Sequence, residues 1–554
     1  MTQPLTVAYF TMEIGFKSSI PTYAGGLGIL AADIMRSCRD MDVNAACVTV
    51  AWQFGYFHQE LHANGTQEYS QTKWNPADEL TPLTERVTVE VEGKTVTIGG
   101  WKLDMKHGEH TVPVIFLDTN LPENSPEHRD LTKILYGGDG TMRISQEIIL
   151  GIGGVRMLRA LGYNDIGTYH MNEGHCAFLT LELLRERNFK DDDVRQSCSF
   201  TTHTPVKAGH DVFGYDLAYK MVGDMLPWHI KDIAGQDALS MTQLAMTMSR
   251  DTFGVSRVHG QVSQNILNNP NIKYITNGVH HTEWTSEPVK ALFDTYIKGW
   301  RENPSLLALH CRDIPDDELW EAHYDNKWEL LKKVKDHTDI EFDLETLTIA
   351  SARRVVPYKR PELIYTNLRR LKEIGCGKLQ IIHAGNAHPY DQFSQDVIRR
   401  MIERSEELRD CVRIVYIPNY NPDLAKVLVA GADVWLNTPT RLHEASGTSG
   451  MKACLNGVLN LSMLDGWWIE GYEKDPQSGW RIGPLAQALD DNDTRDVDAE
   501  DLYTQLQYQV IPEYTYPERK RWIHRMKRAI GLMGYFNSNR AVQEYIEKAW
   551  TKKG

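Results

Sequence analysis

Short apolar, β-branched runs alternate along this chain with longer stretches whose apolar residues recur at helical spacing. "LTVAYFT" (residues 5–11) reads as a buried strand, and "YAGGLGILAADIMRSCRDM" (23–41) as a glycine turn opening a helix. "NAACVTVAW" is the next strand. "VTVEVEGKTVTIGGWKL" (87–103) alternates with period two about "EGK" and predicts a hairpin insertion, followed by the strand "VPVIFLD". A helix over 143–162, the strand "IGTYHM", the helix "HCAFLTLELLRER" and the strands "CSFTTHTP" and "IKYITNGV" complete the first half. A polar, helical stretch from about 286 to 340 separates the halves. The alternation then restarts with "TLTIASA", "KLQIIHAG", "VRIVYIPNY", "ADVWLNT" and "GVLNLSML", with helices predicted over 361–374 and 391–408. The last stretch, "RMKRAIGLMGYFNSNRAVQEYIEKAW", is again helical. No fixed-period repeat or low-complexity segment interrupts this pattern.

Alternating strands and helices in both halves predict an α/β protein with two Rossmann-like domains, whose parallel sheets face a central cleft. The expected boundaries are 1–285 for the first domain, 286–525 for the second, and 526–554 for C-terminal helices that pack back on the first. A length of 554 residues agrees, because single cores stop growing near ~250–300 residues. The net charge of -14, without a long basic run, argues against nucleic acid or an anionic membrane as partner. The start has no secretory signal pattern, and no apolar run reaches transmembrane length. Eight scattered cysteines without C-x-x-C form neither a zinc framework nor a dense disulfide scaffold. A cytoplasmic protein is expected.

Candidate chemistry concentrates where strands end. In "HEASGTSGMKACLNG" (443–457), Gly447, Thr448, Ser449 and Gly450 fall where a helix begins, a place suited to a phosphate. Lys452 follows in the first turn, where it can neutralise that phosphate or form a Schiff base with an aldehyde cofactor. An ordinary Ser/Thr helix cap beside a surface lysine is the alternative. "YAGGLGILAAD" is a second glycine turn, suited to an anion or simply to tight packing. Arg353, Arg354, Lys359 and Arg360 gather at the end of the first strand of the second half, and four cations there favour a phosphate over a solvated loop. Glu173 and His175 in "MNEGH", His203 in "THTP" and Asn277 in "TNG" end strands of the first half with groups that can pair with sugar hydroxyls. "HGEH" (107–110) and His280–His281 lack zinc spacing and are expected in surface loops, and Trp467–Trp468 suit a core better than a sugar platform.

These motifs, with "RRVVPYKR" and "GGLG", resemble those of the glycogen/starch (α-glucan) phosphorylases, above all the short bacterial type with "SGTSGMK" and "LDGWWIEGY". The resemblance implies a GT-B fold and pyridoxal 5'-phosphate (PLP) as cofactor. It also implies phosphorolysis of terminal α-1,4 bonds of glycogen or maltodextrin by inorganic phosphate, giving α-D-glucose 1-phosphate with retention. By resemblance, Lys452 holds PLP as a Schiff base, and Arg353, Lys359, Gly447, Thr448, Ser449, Tyr420 and Trp284 complete the cofactor site. Arg354, Lys359 and the turn at Gly26 and Leu27 match the site of the substrate phosphate. His175, His203, Asn277, Tyr358, Glu444, Ser446 and Gly447 match residues around the glucose. Lys452, Arg354, Lys359, His203 and Glu444 form the implied catalytic set. The resemblance also implies that the cofactor's phosphate exchanges a proton with the substrate phosphate.

Some positions depart from the family pattern. Its match begins near the start, at "TMEIGF", so the regulatory N-terminal extension of the animal enzymes is expected to be absent. Any homo-oligomer is then expected to form other than by the animal-type interface. Gly15 stands where the family has an aromatic residue, "VPYKR" replaces "HEYKR", and "GTSGMK" replaces "GTGNMK". A sugar-nucleotide-dependent glucosyltransferase of the glycogen or starch synthase kind is the main rival, since it shares the fold and the early glycine loop but not "GTSGMK". An inactive carbohydrate-binding protein is a second. A glycosidase would need paired carboxylates, for which Glu173 and Glu444 are the candidates.

Overall fold

A computed structural model describes residues 4–551 except 56, 63, 207–208 and 485–493. The chain forms two compact units. The first comprises Met1–Phe57, Gln71–Thr276 and Ser538–Gly554; the second comprises His58–Ser70 and Asn277–Asn537.

The sheet of the first unit contains β1 (Leu5–Thr11), β2 (Ala45–Val50), β3 (Thr81–Pro82), β4 (Val87–Val91), β5 (Lys94–His107), β6 (His110–Asp118), β7 (Ile166–Asn172), β8 (Cys198–Thr201), β9 (Asp251–Gly254) and β10 (Lys273–Tyr274). Its order is β10-β9-β8-β7-β1-β2-β6-β5-β3, with β4 on β5. From β10 to β6 all neighbours are parallel, while β5 pairs antiparallel with β6, β3 and β4. The hairpin read from the period-two pattern is therefore present. Its turn, Glu92–Gly93, has φ of 53° and 68°, the positive values that a tight two-residue connection requires. The two faces bury different residues of the same strand. Ala8 and Phe10 join one core, and Val7 and Tyr9 the other, as the two-residue period of a strand demands. The second of these cores is completed by Val542, Tyr545 and Trp550 from the chain's last helical segment.

The second unit carries β11 (Leu347–Ala352), β12 (Leu379–Ala384), β13 (Arg413–Ile417), β14 (Val434–Asn437), β15 (Leu459–Met463) and β16 (Gly479–Ile482). All are parallel, in the order β13-β12-β11-β14-β15-β16. β11, β12, β14 and β15 are buried along their whole length, which explains why they are mostly apolar; the polar residues they carry, such as Thr348, Gln380 and Asn460, are buried with them. The long helix Asp316–Thr338 is tied to this sheet by a buried charge cluster: Lys327 Nζ lies 2.6 Å, and His323 Nε2 2.8 Å, from the Asp433 carboxylate. Cys376 and Cys411, read from sequence only as scattered cysteines, form a disulfide in this unit. The helix expected over 361–374 occupies only Leu368–Gly375, because Asn367 caps it by accepting the Arg370 N–H. The hairpin His58–Leu61/Gln67–Ser70 also belongs to this unit, where Gln67 Nε2 donates to Gln395 O over 3.0 Å.

In each sheet, consecutive parallel strands proceed first to one side and then to the other of the starting strand. The reversal lies between β1 and β7 in the first unit and between β11 and β14 in the second. Ligands of open parallel sheets bind outside the carboxyl ends of the strands at such points.

Candidate functional site

The reversal point of the second unit gathers most of the candidate residues. β11 ends at Ala352, so Arg353 and Arg354 emerge there, and the loop after β14 carries Glu444 to the same place. Arg353 Nη2 and Lys359 Nζ both donate to Glu444 Oε2. Side chains of all three are only 11–12% exposed. Burial alone would raise the Glu444 carboxyl, but Lys359 and Arg353 draw it down to about 2. Burial, with the Arg353 charge adding, pushes Lys359 down to about 7 against the pull of Glu444. Burial raises the Tyr358 hydroxyl, and the Lys359 ammonium lies 4.7 Å from the centre of its ring. Arg354 is exposed and makes no ion pair among the described residues. Arg360, the fourth cation, instead pairs with Asp498 at 2.9 Å.

One carboxylate does not satisfy this cluster. Arg353 Nε and Nη1 are buried without a hydrogen-bond partner among the described residues, as is Ser446 Oγ. Buried donors of this kind are costly unless something accepts from them. Beside them, Gly447 turns with φ of 81°, and the helix Ser449–Leu455 begins. Ser449 Oγ accepts from Trp435 Nε1 at 3.0 Å, and Thr448 precedes the first helical residue. Lys452, 8% exposed, lies with Nζ 3.6 Å from the Trp284 ring centre. Asn456 fixes that pair, since its Nδ2 donates to both Trp284 O (2.9 Å) and Lys452 O (3.0 Å). Tyr420 follows Asn419, whose φ is 55°. Asn386 clamps Tyr420, donating to its carbonyl and accepting from its N–H. Asn277 is buried in the same unit, at 5% exposure. Cations, orphaned donors and a turn of positive φ together fit a phosphate-bearing cofactor.

The first unit places its own candidates at its reversal point. Thr11, ending β1, pairs in register with Asn172, ending β7. His203 Nε2 lies 2.7 Å from Asn172 Oδ1, whose amide nitrogen donates to Thr11. That orientation puts the His203 proton on Nε2 and leaves Nδ1 as an acceptor. Glu173, with φ of 79°, accepts from the N–H of His203 at 2.9 Å and from the Thr204 hydroxyl. Burial would raise its carboxyl, yet the neighbouring His203 and His210 keep it below its usual value. His175 Nε2 faces Asp211 at 3.3 Å, and burial holds its ring neutral, down to about 4. Gly26 and Leu27 open the helix Gly26–Asp40. Glu13 anchors that turn by accepting from the N–H groups of Ala24 (2.7 Å) and Gly25 (3.0 Å), and the exposed Gly26 has open space around it.

Most features read as structural are so placed, but His280 and His281, expected in a surface loop, are buried, with His281 Nε2 2.7 Å from Arg301 O. Trp467 and Trp468 are buried, and His107 and His110 face each other across a strand pair. Among the described residues no group of His, Cys, Asp or Glu could hold a metal ion, and no helix is long and apolar enough to cross a membrane.

Comparison with known proteins shows which family the chain belongs to. The chain is 38% identical to a maltodextrin phosphorylase of Thermococcus litoralis, over 99% of this chain and 70% of that protein. The chain belongs to the carbohydrate phosphorylase family. The family's profile matches residues 219–477. A glycogen phosphorylase of Aquifex aeolicus is 32% identical over 99% of this chain and 86% of its own length. An uncharacterized protein of Methanocaldococcus jannaschii is 29% identical over 98% and 99%. Membership accounts for the two mixed α/β units with largely parallel sheets, the architecture of GT-B phosphorylases. Sequence reasoning missed Asn386, Asn456 and Asp465. Each pairs with backbone groups distant in the chain, and the visible signal is a polar residue just after a strand, for Asn386 and Asp465, or at a helix end, for Asn456.

Proposed function

We propose that this protein is a cytoplasmic α-glucan phosphorylase that cleaves terminal α-1,4 bonds of glycogen or maltodextrin with inorganic phosphate, giving α-D-glucose 1-phosphate with retention. The observation that carries the reading is the cation cluster whose buried donors, Arg353 Nε and Nη1, have no acceptor among the described residues. A glycosidase is the poorer fit. Its general acid needs a raised carboxyl, and both Glu173 and Glu444 lie below their usual range.

PLP fits the residues present. Lys452 would hold it, with Trp284 and Tyr420 as aromatic neighbours and Arg353, Gly447, Thr448 and Ser449 around its phosphate. When bound, it supplies a phosphate whose second ionisation near ~6 suits acid–base work at neutral pH. The chain's own groups then have distinct tasks. Arg353 gives its free donors to an anion. Arg354, exposed, and Lys359, poised near neutrality, supply fixed positive charge to the substrate phosphate. An arriving anion favours the charged form of Lys359 and keeps its proton on Nζ. Glu444 holds Arg353 and Lys359 in place and, with Ser446, Tyr358 and Asn277, would take glucose hydroxyls. His203 would accept a hydrogen bond from a glucose hydroxyl at Nδ1. His175 and the amides of Gly26 and Leu27 would complete substrate binding.

The test is phosphorolysis of maltodextrin, with borohydride reduction and peptide mass mapping. Glucose 1-phosphate should form only with phosphate, and the peptide containing Lys452 should carry a reduced pyridoxyl phosphate. Lys452→Ala should lose both activity and cofactor. Glucose released without phosphate, or glucosyl transfer from ADP-glucose or UDP-glucose with Lys452 unlabelled, would refute the reading.

A further inference from the structure

The loop that carries Glu444 has no regular structure to hold it. Its residue Leu442 has φ of 66°, a conformation that a branched side chain keeps only when its surroundings enforce it. The enforcement comes from the turn after β15. Asp465 Oδ2 accepts the Glu444 N–H at 2.9 Å, and its Oδ1 accepts the Gly466 N–H at 2.8 Å. The Trp467 N–H donates to Ser446 O at 2.9 Å. Gly466, with φ of 53°, lets the two backbones meet: a Cβ there would sit 2.4 Å from Ser446 O.

Asp465 is an expensive residue to keep in this place. It is 3% exposed and pairs with no cation among the described residues. Burial, with the negative charge of Glu444 adding, pushes its carboxyl up to about 7, against the pull of the backbone amides. Glu444 and Tyr358 are the titratable groups that feel its charge. An apolar residue would avoid the penalty. Asparagine would offer one acceptor where two N–H donors converge. Only a carboxylate of this length meets both.

We propose that Asp465 is a positioning residue of the active site, which sets Glu444 on Arg353 and Lys359 by holding the Glu444 amide. The role rests on the phosphorylase reading for its effect on activity, but not for its effect on the loop.

The test uses the full-length, PLP-loaded protein and the substitutions Asp465→Asn, Glu444→Ala and both together. Leaving a buried N–H unsatisfied corresponds to roughly a 5- to 150-fold loss. Asp465→Asn should lower kcat/KM for maltodextrin phosphorolysis within that range while PLP stays bound at Lys452. If Asp465 acts through Glu444, the double variant should be no slower than Glu444→Ala alone. Hydrogen exchange of the peptide covering 442–447 gives an independent readout, taken on Asp465→Ala, which offers no acceptor and should remove protection of the Glu444 amide. Unchanged exchange there, or activity losses that multiply in the double variant, would overturn the proposal. Should the wild-type protein show no phosphorolysis, the phosphorylase reading fails, and the exchange measurement alone decides the role of Asp465.

Discussion

Replacing Glu444 by glutamine keeps the side chain's shape and removes one charge from a nearly dry cluster. Arg353 then faces a neutral acceptor, and Lys359, already down to about 7, loses the charge that favours its proton. The size of the loss follows from the carboxyl itself, which moves from 4.5 to about 2 on folding. At ~1.4 kcal/mol per unit this is about 3 kcal/mol at neutral pH. Removing one partner of a buried pair costs about the same, roughly 3–5 kcal/mol. Because the carboxyl is depressed, the contribution is complete above its usual value and is lost as pH falls toward about 2. The assay is thermal denaturation of the cofactor-free protein. For a unit of this size, Glu444→Gln should lower the midpoint by roughly 6–12 °C near pH 7. The gap from wild type should narrow as pH drops below the usual glutamate range. Inorganic phosphate should stabilise the variant more than the wild type, since it replaces the missing negative charge. Equal midpoints at neutral pH, or a gap that persists unchanged into acid, would refute the electrostatic reasoning.

Other outcomes follow from the same structure. Arg354→Ala should raise KM for phosphate about 10- to 100-fold, the loss of one charge-assisted contact, with KM for maltodextrin little changed in steady-state assays. Asp433→Ala strands Lys327 and His323, both 2% exposed, and should destabilise the protein by about 3–5 kcal/mol in thermal melts while leaving activity intact at low temperature. Gly466→Ala drives a methyl to 2.4 Å from Ser446 O and should abolish phosphorolysis while borohydride still labels Lys452.

The repeating strand–helix pattern was readable because both faces of each parallel sheet are covered, so β2, β11 and β12 are buried throughout and mostly apolar, broken only by buried residues such as Thr49, Thr348 and Gln380. Edge elements were less readable. "IKYITNGV" joins the sheet at Lys273 and Tyr274, both exposed, where burial no longer disciplines the sequence. The cations at the end of β11 announced themselves because four of them fall within eight residues of an acidic chain. What they pair with did not. Arg360 looks like its neighbours in the sequence, yet it is used up by Asp498, 138 positions away. Asp465 and Asn456 look like ordinary turn and helix-end residues. Their distant partners, Glu444 and Trp284, lie 21 and 172 positions off, a separation that no local spacing reports.

The first unit ends with the chain's own last segment, and this bears on how the protein is made. Thr168 in β7 donates to Trp550 O, Trp550 Nε1 lies 3.1 Å from His170, and Ser37 shares a hydrogen bond with Ser538. A ribosome delivers the sheet of the first unit hundreds of residues before the helix that closes one of its cores. During that interval Val7, Tyr9 and Ala45 have part of their final apolar cover still unsynthesised. A nascent chain stalled before residue 538 should therefore be a chaperone client, and truncating the last helix should cost solubility far more than its few residues suggest.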